Sequence, residues 1–166
     1  TAVAFYYLSK YLGDSLFDRC MQTYYEQWKF KHPQPEDIKS VFTSVSGKNL
    51  DWFFNEILFT TKQQDFKLTK HEKSKEGFKI SVTDKSGLSA PFSLSTFKDD
   101  KPITETWYDP SALNKELFIP CNDCDQLKID ASGASLDVNH KNNSYRKRIL
   151  PAFHLLPKVH RTDRSS

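Results

Sequence analysis

Residues 71–75, His71-Glu72-Lys73-Ser74-Lys75, open like the zinc-binding pattern H-E-x-x-H. That pattern works on a helix, where side chains four residues apart share a face and both reach one metal. Here the second His is replaced by Lys75, and an ammonium group must lose its proton before it can act as a ligand. The surrounding residues read as strand and turn rather than helix, so no metal role is assigned to them.

Cys121-Asn122-Asp123-Cys124 is the second chemical pattern. One such pair supplies only half of the four ligands that a structural zinc site takes. It also lies outside the start of a helix in a βαβ unit, where redox-active pairs of this spacing sit. A local disulfide, two idle thiols, and a metal or redox pair all stay open. A disulfide would favour an exported or periplasmic protein, and nothing else in the chain points to a compartment. The third cysteine, Cys20, falls on an apolar helical stripe and reads as a small buried hydrophobe, a poor nucleophile.

His32, His71, His140, His154 and His160 are scattered, and no two have metal-ligand spacing with an acid partner. There is no G-x-S-x-G and no glycine-rich phosphate loop. Asp137-Val138-Asn139-His140-Lys141-Asn142-Asn143 resembles a calcium loop but lacks its turn Gly and closing Glu. Asp and Asn there read better as turn caps. Asn142-Asn143-Ser144 matches a glycosylation acceptor, which matters only in a eukaryotic secretory host. Trp52-Phe53-Phe54 and Trp107-Tyr108 could serve as sugar-binding platforms, but aromatics at helical or alternating spacing read as core. No catalytic, cofactor-binding or metal-ligating residue is assigned to this chain.

The elements that carry these residues follow from periodicity. Of the 166 residues, 37% are hydrophobic and 14% aromatic, enough to build a core. No apolar run approaches the roughly 18 residues that would span a bilayer, and no signal-peptide pattern opens the chain. Thr1 to Leu8 is already helical in pattern with no capping residue before it, which is expected of a segment cut from a longer chain. Asp14 is a candidate cap for a helix carrying Phe17, Cys20, Met21, Tyr24 and Trp28 on one side. Pro35, Glu36 and Asp37 start another, with Ile38, Val41, Phe42 and Val45 as its stripe and Gly47 as its stop. A last helix places Leu50, Phe53, Phe54, Ile57 and Leu58 on one face.

From about residue 65 the period changes from 3.6 to two. Strands are expected at Phe66 and Leu68; Phe78, Ile80 and Val82; Phe92, Leu94 and Thr96; Ile103 and Trp107; Leu117 and Ile119; Leu127 and Ile129; and Leu136 and Val138. Turns at Asp84-Lys85-Ser86-Gly87, Lys98-Asp99-Asp100-Lys101-Pro102 and Ala131-Ser132-Gly133 separate them. The expected fold is α+β: a short helical bundle segment over 1–60, an antiparallel β-sandwich of about seven strands over 61–143, and a basic connector or tail over 144–166. From His140 onward seven basic residues face one acid, leaving 17 basic and 20 acidic groups before it. An acidic body of that kind repels a phosphate backbone, so no nucleic-acid partner is expected.

The helices also carry a family likeness. Leu8-Ser9-Lys10-Tyr11-Leu12-Gly13, then Phe17, Met21, Tyr24 and Tyr25, then Pro35-Glu36-Asp37-Ile38, Ser46-Gly47-Lys48-Asn49-Leu50 and Trp52-Phe53-Phe54 follow one order. It resembles the stretch that closes the catalytic domain of the alanyl-aminopeptidase family of zinc metallopeptidases. Trp28-Lys29-Phe30-Lys31-His32-Pro33 is similar to a run of the bacterial branch. The likeness covers residues 1 to about 59, and the strands of 65–139 are compatible with the family's next domain, a β-sandwich.

The resemblance implies a parent that removes N-terminal amino acids from peptides with a zinc-activated water and a Glu as general base. The family's H-E-x-x-H, the further Glu ligand and the transition-state-stabilising Tyr would all precede Thr1. This chain is therefore expected to be catalytically silent, with no cofactor of its own, zinc in the parent, and the rest of the parent polypeptide as its partner. The alternative is a stand-alone sandwich that binds a protein or a glycan.

Overall fold

The first helix, α1 (Ala2–Leu12), turns Ala4, Tyr7, Leu8, Tyr11 and Leu12 inward at three- and four-residue spacing. A computed structural model describes residues 2–59 and 61–146. Gly13, at φ 81° and ψ 148°, adopts a positive-φ conformation open to glycine and turns the chain directly into α2 (Asp14–Trp28). Asp14 was expected as the cap of α2 but lies inside it; Gly13 holds the cap position and makes no side-chain cap bond. Asp14 instead sits in the first turn, where its charge suits the helix dipole, and pairs with Lys10 at 3.5 Å.

Helix α3 (Pro35–Ser46) opens on Pro35, and the Gln34 N–H donates to Asp37 Oδ2 at 2.7 Å. It closes on Gly47 in the left-handed conformation, whose N–H donates to the Thr43 carbonyl at 2.9 Å. A π-helix (Trp52–Ile57) follows, in which the Leu58 N–H donates to Phe53 O at 3.1 Å. The expected stripe of Phe53, Phe54 and Ile57 is inward, and the wider turn brings Trp52 in with them.

Seven antiparallel strands follow among the described residues: β1 (Phe66–Lys73), β2 (Gly77–Asp84), β3 (Phe92–Lys98), β4 (Lys101–Tyr108), β5 (Glu116–Pro120), β6 (Gln126–Ile129) and β7 (Ser144–Arg146). One sheet has the order β1-β2-β5 and the other β4-β3-β6-β7. The chain is thus α+β with two antiparallel sheets. Burial alternates from Phe78 to Val82 in β2, as period-two reasoning expects, but in β1 only from Phe66 to Leu68, whereas every residue of β3 from Phe92 to Phe97 is buried. Phe66 of one sheet meets Phe92 of the other with ring centroids 5.7 Å apart, and both belong to the cluster that also holds Phe78, Ile80, Leu94 and Leu127.

Gly77 permits a close approach that no other residue would. A Cβ there would lie 2.2 Å from the Ile119 carbonyl oxygen, across the pairing of Gly77 with Pro120.

The expected strand at Leu136 and Val138 is corrected. Val138 is exposed, and only an isolated bridge joins Asp137 to Gln64. Side-chain bonds hold the segment instead: the Asp137 carboxylate accepts from Phe66 N at 2.9 Å, Asn139 N at 2.7 Å and Asn143 Nδ2 at 2.9 Å. A backbone tied to a carboxylate in this way has no ladder to offer. The seventh strand comes later, at Ser144–Arg146 against β6, at the start of the span expected as a basic connector or tail. The basic residues beyond Arg146 lie outside the described residues.

Candidate functional site

Two tyrosines one helical turn apart, Tyr7 and Tyr11, carry α1 onto the sheets. The Tyr7 hydroxyl donates to the carbonyl oxygen of Pro91, just ahead of β3, in a fully buried bond. Tyr11 donates to Asp109 Oδ1 at 2.5 Å, just past β4. Between them stand two indoles. Trp107 of β4 lies 6.0 Å from Tyr7 and 5.8 Å from Tyr11, centroid to centroid. Trp52 of the π-helix lies 5.3 Å and 5.6 Å from the same two rings. Four aromatic side chains and two hydrogen bonds therefore join α1, the π-helix and the second sheet in one contact.

Burial sets the chemistry of this junction. It pushes the Tyr7 phenol well above its usual range, and the charges of Asp130, Asp84 and Asp137 push it further. Tyr11 is raised too, first by burial and then by its bond to Asp109. Both phenols stay neutral donors across the physiological range. Beside them a cleft of about 480 Å³ is lined by Tyr11, Lys48, Asn49, Asp51, Trp52 and Asp109. The Lys48 ammonium sits 4.2 Å over the Tyr11 ring. The carboxylates of the cleft accept from Tyr11 and from Lys39, the latter 2.5 Å from Asp51.

The residues singled out from sequence fall elsewhere. His71 and Glu72 are exposed on β1, and Lys75 is in the turn after it. The His71 ring stacks on Tyr145, 4.5 Å between centroids. Cys20 is fully buried, with its thiol pushed up chiefly by burial. Cys121 and Cys124 are joined as a disulfide beside Lys73, whose Nζ donates to Cys121 O at 2.8 Å. Among the described residues no three His, Cys, Asp or Glu side chains gather as a metal site. Among the described residues no helix is long and apolar enough to cross a membrane. Trp52, Phe53 and Phe54 are buried, and Trp107 is engaged by Tyr7 and Tyr11. Asn142, the glycosylation candidate, donates its side-chain amide to Asp65 Oδ1 at 3.0 Å.

Sequence reasoning missed the junction itself. Its one signal was the spacing of Tyr7 and Tyr11 on a face that also carries Leu8 and Leu12. No family model matches this chain, and no curated protein matches it.

Proposed function

We propose that this chain is a non-catalytic support segment of a zinc aminopeptidase-like protein. Its helices would close the catalytic domain, and its two sheets would form a β-sandwich that braces them. The observation that carries this reading is the junction of Tyr7, Tyr11, Trp52 and Trp107. Rings and hydrogen bonds, rather than a linker, tie α1 to the sheets, so a displacement at one end of α1 is passed on rather than absorbed. A brace behind an active site needs that stiffness, because catalytic groups must be held to fractions of an ångström.

The outer side of the helices supports the same reading. Val3, Tyr6, Met21 and Tyr25 on the helices are exposed, as are Phe30 and Phe59 in the turns after α2 and the π-helix. Phe30 is 99% exposed and has φ 64°, a conformation that costs a non-glycine residue energy. An aromatic side chain held in that way, with so little cover, suits a surface that meets another part of the same polypeptide. In this reading the zinc and its ligands belong to the preceding part, and peptides are that part's substrates. There the metal would supply an activated water. This chain contributes orientation only.

The test compares the zinc-loaded isolated chain with the longer natural polypeptide on aminoacyl-nitroanilides. Turnover is expected from the longer polypeptide alone, and a chelator should abolish it. Chelator-sensitive turnover by the isolated chain, or none by the longer one, would contradict the proposal.

A further inference from the structure

The loop between β5 and β6 holds chemistry that the support role leaves unused. We propose that the Cys121–Cys124 disulfide is a thiol–disulfide exchange site, reduced by a dithiol with the help of the Lys73 ammonium. This stands on the loop alone and does not depend on the proposed parent enzyme.

Three observations carry it. The two sulfurs differ in their surroundings: Cys124 is 6% exposed and belongs to the core cluster, while Cys121 is only half-buried. Lys73 Nζ lies 3.8 Å from Cys124 Sγ and is held there by its 2.8 Å bond to Cys121 O and by the Phe78 ring, 4.6 Å away. A cleft of about 850 Å³, lined by Lys73, Lys98, Cys124 and Tyr145, opens beside Cys124, where the leaving thiolate would form. The charged residues lining that cleft besides Lys73 are Lys75, Lys98, Asp99, Asp123 and Asp125, and Glu76 accepts the Cys121 N–H through its backbone carbonyl. Asp123 is taken by Lys98 at 2.9 Å, and Asp125 accepts from the Asp99 N–H at 3.2 Å. Lys73 is a cation in direct contact with a sulfur of the pair.

The reaction follows from that asymmetry. A thiolate of the dithiol attacks Cys121 Sγ, forming a mixed disulfide; the Cys121–Cys124 bond breaks and its electron pair goes to Cys124 Sγ. The new Cys124 thiolate forms beside the Lys73 ammonium, which stabilises it and makes it a better leaving group. The second thiol of the dithiol gives up its proton and attacks its own sulfur partner in the mixed disulfide. Cys121 leaves as a thiolate and takes a proton from solvent. Two electrons have passed from the dithiol, now a disulfide, to the cysteine pair. Lys73 acts here as a positioning residue, through Cys124.

The experiment uses the whole oxidised chain, dithiothreitol as the dithiol, and alkylation read by peptide mass spectrometry. Cys121 and Cys124 should be labelled after brief reduction, while Cys20, fully buried, stays unlabelled and reports that the chain has not unfolded. Lys73→Met should slow reduction about threefold, the effect of roughly one pKa unit on the leaving thiol. Lys73→Arg should restore the rate, since it returns the charge. Labelling of the pair only together with Cys20 would overturn the proposal, and so would a Lys73→Met chain reduced as fast as the parent. A Lys73→Arg chain as slow as Lys73→Met would do the same, because packing rather than charge would then set the rate.

Discussion

The Tyr11 hydroxyl on α1 donates to the Asp109 carboxylate at 2.5 Å, closing a bond between residues 98 apart in sequence. It sits at the rim of the aromatic junction, where one partner is buried and the other is exposed. Tyr11→Phe is expected to lower unfolding stability by about 1–2 kcal/mol, the range for a bond to a charged acceptor near a surface. Asp109→Ala should cost a similar amount in urea titrations. The double variant should cost little more than either, because all three changes remove the same bond.

Alkaline pH should weaken the fold through the two junction phenols. Both are raised in the folded chain, so each contributes stability that is fully present below the unfolded value near 10 and is lost as pH rises through the folded value. Above about pH 10 the unfolded chain binds fewer protons than the folded one, and stability falls by up to about 1.4 kcal/mol per pH unit for each phenol. Thermal unfolding followed from pH 8 to 11 should show that decline. The slope should be shallower in Tyr11→Phe.

Phe30 is a position where a glycine should help. The Lys29 dihedrals (φ −54°, ψ 132°), the positive φ of Phe30 and the bond from Lys31 N to Trp28 O at 2.9 Å make a type II turn, which favours glycine at its third position. Phe30→Gly relieves that strain and gives up almost no buried surface, at the cost of a looser unfolded chain. The isolated chain should gain about 0.5–1 kcal/mol, read as a raised denaturant midpoint.

Gly77 should tolerate no side chain. A methyl group would collide with the Ile119 carbonyl, a backbone atom held in the β2–β5 ladder. Gly77→Ala is expected to cost about 2–4 kcal/mol, since one strand must shift to admit it. Hydrogen exchange at Phe78 and Ile119 should accelerate in this variant.

Much of the architecture was legible in local sequence pattern. Pro35 and Gly47 bound a helix through their own backbone limits, and the alternation of Phe78, Ile80 and Val82 marked a strand with one buried face. Leu136 and Val138 carry the same alternation but form no strand, because the Asp137 carboxylate binds the nearby backbone first. Ser144–Arg146 pairs with β6 although it has too few residues to show a period. The junction was illegible for a different reason. Periodicity says that Tyr7 and Tyr11 face inward, but Pro91 and Asp109 lie 84 and 98 residues away, and no local pattern names such partners. The Cys121–Cys124 spacing was visible in the sequence, whereas the ammonium beside it comes from β1, some 50 residues earlier, and depended on strand register.

The support role is tested most directly by the sequence encoded ahead of Thr1 in the intact gene. Within roughly a hundred residues it should contain an H-E-x-x-H, a Glu on the following helix, and a Tyr a few residues before α1. That order would supply the zinc site and the catalytic tyrosine which these helices are proposed to back. A reading frame that holds none of these, or one that starts at Thr1, would contradict it.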